Sequence, residues 1–83
     1  MIMQQTKIQE HLETFRRYFY KAKKCYVSEK QDFIAYGYED IRHAATDCTS
    51  ANSLIKRMNL PLVAIHSQNS KSFFVQSNEN LDI

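Results

Sequence analysis

Ile8, Leu12, Phe15, Phe19, Ala22 and Tyr26 recur at intervals of four, three, four, three and four. That spacing is the period of an α-helix and lays all of these side chains along one stripe. Thr6 has the chemistry of an N-cap, so an amphipathic helix is expected from Thr6 to about Lys24. Glu10, Glu13, Arg17, Tyr20, Lys21 and Lys24 fall on its opposite face. The acids come early and the bases late, which suits the helix dipole. The stripe has to be buried against something, and the rest of the chain must supply it.

That remainder is short. Eighty-three residues bury only about 60% of their unfolded surface, which allows one small core. A single domain over residues 1–83 is expected, with 1–5 and 77–83 fraying. Such a core leaves little room for a deep substrate pocket. The expectation is therefore a protein that is not an enzyme, with no cofactor and no small-molecule substrate. Gly37 and Pro61 are the single glycine and single proline. Glycine-loop phosphate sites, collagen-like repeats and flexible linkers are excluded on that ground.

The net charge of +2 is small, but it is unevenly spread. Residues 1–13 sum to −1, 14–28 to +5, 29–47 to −3 and 48–83 to +1. Within the basic band, Arg16, Arg17, Lys21, Lys23 and Lys24 alternate with Phe15, Tyr18, Phe19, Tyr20 and Tyr26. Cations interleaved with rings suit a surface that meets phosphate or carboxylate. Banding of opposite sign is also compatible with two copies pairing head to tail. Cys25 and Cys48 form no Cys-x-x-Cys pair, and no secretory signal pattern precedes them. Reduced thiols in a cytoplasmic protein are expected. No apolar run approaches the length of a membrane span.

Two readings compete for residues 25–38. Cys25–Val27 and Phe33–Tyr36 suit short strands around a turn at Glu29–Asp32. Alternatively, Ser28 and Gln31 form a capping box that starts a helix early. A helix over at least Glu39–Asp47 follows in either case. Thr46-Asp47-Cys48-Thr49-Ser50 is rich in caps and weak helix formers, so a break is expected there. A new helix then runs from Ala51 to about Asn59, capped by Ser50, and Pro61 ends it. Leu62–His66 and Ser72–Gln76 read as a hairpin across a polar loop. The fold class is therefore α+β: an N-terminal helix, one or two more helices and a C-terminal hairpin. That order fits a winged helix-turn-helix, and equally a generic sandwich of a sheet on helices. The break lacks the glycine common in helix-turn-helix turns.

On the winged reading the chain is a small DNA-binding regulator that engages duplex DNA with helix 50–59 and hairpin 62–76. Asn52 would bond an adenine edge and Lys56 or Arg57 a guanine or a phosphate. Ser50 and Ser53 would hold phosphate oxygens, with Lys71 and Gln68 at the hairpin tip beside the minor groove or the backbone. The alternative is a protein-binding inhibitor or adaptor. It would dock Arg16, Arg17, Tyr20, Lys21 and Lys24 on an acidic or nucleic-acid-binding partner, since Arg and Tyr make strong interface anchors. Each of these faces also reads as an ordinary solvated helix surface. His11, His43 and His66 have no ligand spacing, so no metal site is expected.

Overall fold

The computed structural model describes residues 2–19 and 24–78, with side chains from residue 7 onward. Helix α1 spans Ile2–Tyr18, followed by strands β1 (Lys24–Val27) and β2 (Phe33–Gly37). Helix α2 spans Ile41–Met58 and leads into β3 (Leu62–His66) and β4 (Ser72–Ser77). The strands form one antiparallel sheet in the order β1-β2-β4-β3. The α+β class is as expected. The topology is that of two α-β-β units joined through β2 and β4, although no sequence repeat accompanies it.

Alternation along the strands decides which face is covered. Ile34 and Tyr36 on β2, Phe73 and Val75 on β4, and Leu62 and Ala64 on β3 are all buried. Leu12, Phe15 and Phe19 from the α1 segment, and Cys48, Ala51 and Ile55 from α2, complete the same core. Both helices therefore pack on one face. The centre is an aromatic pile: Phe19 stacks on Phe15 and meets Tyr36 and Phe73 edge-on. Tyr36 and Tyr38 each stack on Phe73. Each such pair adds about 0.5–1.5 kcal/mol beyond its buried area.

The helix expected from a Thr6 cap to Lys24 instead starts at Ile2, with Thr6 inside it, and ends earlier, at Tyr18. Lys24, Cys25, Tyr26 and Val27 instead pair with Gly37, Tyr36, Ala35 and Ile34. β-branched and aromatic residues gain more from that ladder than from another helical turn. Ala22, Tyr20, Lys21 and Lys23 lie outside the described residues. The strand reading of 25–38 holds, with the turn where it was expected. There the Ser28 hydroxyl donates to Asp32 Oδ1 at 2.7 Å and accepts from the Asp32 N–H at 3.0 Å. Gln31 takes a left-handed φ of 57°.

The expected break at Thr46–Ser50 is absent, and α2 runs through it. Ala44, Cys48, Ala51 and Ile55 make an unbroken buried stripe across the supposed gap. Tertiary burial overrides the weak propensities, and Thr49 returns its hydroxyl to the Ala45 carbonyl within the helix. Asp40 is the N-cap and accepts from the His43 N–H at 2.8 Å. Asn59, left-handed at φ 58°, closes the other end with Leu60, whose N–H reaches the Ile55 carbonyl at 3.0 Å. Among the described residues there are two helices instead of three and the hairpin is built into a four-stranded sheet, so the helix-turn-helix arrangement is not present there. Ser77, expected to begin a fraying tail, is buried and pairs with Leu62.

Candidate functional site

The other face of the sheet has no helix on it among the described residues. Its side chains fall into rows fixed by register. Tyr26, Ala35, Phe74 and Ile65 lie side by side across all four strands. Lys24, Gly37 and Ser72 form a row on one side, and Phe33, Gln76 and Val63 a row on the other. None of these residues is acidic. Tyr26 is 58% exposed, Ile65 47% and Phe74 40%. Phe33 leans edge-on against Phe74 with ring centres 5.6 Å apart. Lys24, Cys25, Tyr26, Ala35, Gly37 and Ser72 outline a shallow depression of about 540 Å³ on this face.

The basic-aromatic band divides according to its geometry. Phe15 and Phe19 go to the core, whereas Tyr18 (59%) and Tyr26 stay exposed. Arg16 and Arg17 are exposed on the last turn of α1, and Lys24 is exposed at the head of β1. Among the described residues no ion pair engages these cations. Arg16 also lines a groove of about 220 Å³ between α1 and the β1–β2 hairpin, with Leu12, Glu13 and Val27.

The set read as DNA-contacting is dispersed. The Asn52 carboxamide does not face an open surface. Its Nδ2 donates to the Ala64 carbonyl at 2.9 Å, and its Oδ1 accepts from the Ala64 N–H at 2.9 Å. Because β3 pairs only with β4, those two groups lie on the free edge of the sheet, and Asn52 satisfies both of them there. Ser50, Ser53 and Arg57 do come together, lining a groove of about 290 Å³ with Tyr18, Phe19, Thr49 and Leu54. Lys56 is exposed beside them in the last turn of α2, which leads into Leu62. Lys71 sits beside Ser72, at the end of the sheet that carries Lys24, and Leu62 lies at the opposite end. No single duplex-reading surface gathers these residues. Ala35, Gly37, Ser72 and Phe74 escaped the sequence reading because their adjacency exists only through register. The signal was the alternation in Phe33–Gly37 and Ser72–Gln76, read with the opposite parity from the core.

Among the described residues, burial and close neighbours shift several titratable groups. Burial raises the Tyr36 phenol far above its ordinary range. The Cys25 thiol beside it adds to this, and Arg16 opposes it. Burial also raises Tyr38, helped by the Asp47 carboxylate. Neither hydroxyl has a partner in hydrogen-bonding geometry, so Cys25 and Asp47 act on them as nearby charges and dipoles. Burial raises the Cys48 thiol, while the exposed Cys25 is also free. Asp40 is lowered, first by the His43 backbone N–H and then by the His43 ring at 2.9 Å. Among the described residues no group of three His, Cys, Asp or Glu could hold a metal ion. No helix there is long and apolar enough to cross a membrane.

No family model, no curated protein and no solved structure matches this chain.

Proposed function

We propose that the protein is a non-enzymatic nucleic-acid-binding module that presents its bare sheet face, and not a helix, to single-stranded nucleic acid. One observation carries this reading: among the described residues, a sheet face without a helix or a carboxylate that presents exposed rings and a lysine. Unpaired bases expose their π-faces, and aromatic side chains on a sheet stack on them without regard to sequence. Duplex DNA hides those faces and offers mainly its grooves and phosphates. Arg16, Arg17 and Lys24 supply the attraction to a polyanion from the α1–β1 side.

Fluorescence polarisation with a short mixed-sequence strand, free or annealed to its complement, tests this. The single strand should bind better, with affinity falling as salt rises. Three phosphate contacts would give a log–log slope of about −2. Preference for the duplex would overturn the single-strand reading. No binding to either at low salt would overturn nucleic acid as the partner and favour an acidic protein.

A further inference from the structure

Gly37 is the chain's only glycine, and neither its backbone nor its packing calls for one. Its φ is not positive. A Cβ there would meet Lys24 Cβ at 3.5 Å and Ser72 Oγ at 3.8 Å, which is ordinary contact. What its missing side chain does is leave open floor between Lys24 and Ser72. Ala35, two residues along β2 on the same face, keeps that floor low between Tyr26 and Phe74. The two rings therefore rise from strands on either side of β2, whose backbones stand about 10 Å apart. Ala35 is the one side chain between those two rings in their row, so the space above it is open to a planar ring.

Resting on the reading of the sheet face as a single-strand surface, we infer that Tyr26, Ala35 and Phe74 form a slot for one unpaired nucleobase. The adjoining Lys24–Gly37–Ser72 row receives the phosphate attached to it. Lys24 provides charge and Ser72 a hydroxyl donor, and Gly37 lets the sugar-phosphate approach the backbone. The slot takes any base, because Tyr26 and Phe74 offer faces and no edge-reading donors.

The test compares two oligonucleotides, one carrying a fluorescent adenine analogue and one abasic at the same position. The protein is used as wild type and as Ala35→Leu, which fills the floor without changing charge. Wild type should quench the analogue and bind the intact strand at least about tenfold more tightly than the abasic one. Ala35→Leu should abolish the quenching and remove the difference between the two strands. Lys24→Gln should weaken both strands equally and lower the salt slope. A melting curve establishes that Ala35→Leu is folded; if it is not, Tyr26→Ala on the exposed face carries the same test. Binding by wild type that ignores the abasic change, with no quenching, overturns the slot and leaves single-strand binding standing. Absence of binding to any strand at low salt overturns both. Equal affinity for a free mononucleotide and for the strand overturns the polynucleotide as the occupant.

Discussion

The two α-β-β halves share a topology and differ in how tightly they are finished. In the second half, Asp40 and Asn59 cap α2 at its two ends, and Asn52 closes the edge of β3. In the first half, β1 is a four-residue strand with three exposed positions. Capping and edge closure mark the second half, and the first carries Arg16, Arg17, Lys24 and the exposed Tyr26. Local stability is commonly distributed in this way, with binding elements drawn from its lower end.

The comparison can be broken first at the seam both halves share. Phe73→Ala removes a fully buried ring that touches Phe19, Tyr36 and Tyr38. It should cost about 3–5 kcal/mol by chemical denaturation. A loss below about 2 kcal/mol would mean that the halves are held together elsewhere. Next, Asn52→Ala strips the edge of β3 and leaves the Ala64 backbone to water. A cost of about 1–3 kcal/mol is expected, with faster amide exchange at Ala64. Tyr26→Ala in the open half should cost less than about 0.5 kcal/mol. Equal losses for Asn52→Ala and Tyr26→Ala would erase the distinction drawn between the halves. Gln31→Gly should stabilise by up to about 1 kcal/mol, since glycine adopts the left-handed φ without penalty.

A last and smaller effect lies in alkali. Tyr36 and Tyr38 have folded-state phenols raised above their unfolded values. The neutral forms favour the fold, so their contribution is fully present below the ordinary phenol range and is lost as pH rises through the folded values. Tyr36→Phe with Tyr38→Phe should leave neutral-pH stability nearly unchanged and flatten the alkaline loss, as followed by urea titration. An unchanged alkaline slope would show that other groups govern it.

Much of this architecture was legible where a pattern repeats within one element. The stripe from Ile8 to Phe19 and the hairpin at 62–76 needed only local periodicity. The break at Thr46–Ser50 was misread because cap-forming residues signal an end only when no partner surface awaits them. Here Cys48 and Ala51 had a sheet to cover. The role of Asn52 was illegible because it depends on the edge of β3, twelve residues away. The row Tyr26, Ala35, Phe74, Ile65 was hidden for the same reason: four strands must align before the residues become neighbours. The basic-aromatic stretch did point to Tyr26 and Lys24, but it could not say that they face away from Phe15 and Phe19.

Asn52 has one more effect. A sheet with two bare borders can be extended from either side, and copies joined in that way have no natural stopping point. Here a carboxamide occupies the Ala64 N–H and C=O in the middle of the β3 border. An incoming strand would have to displace it to pair there, which makes that border a poorer template than a bare one.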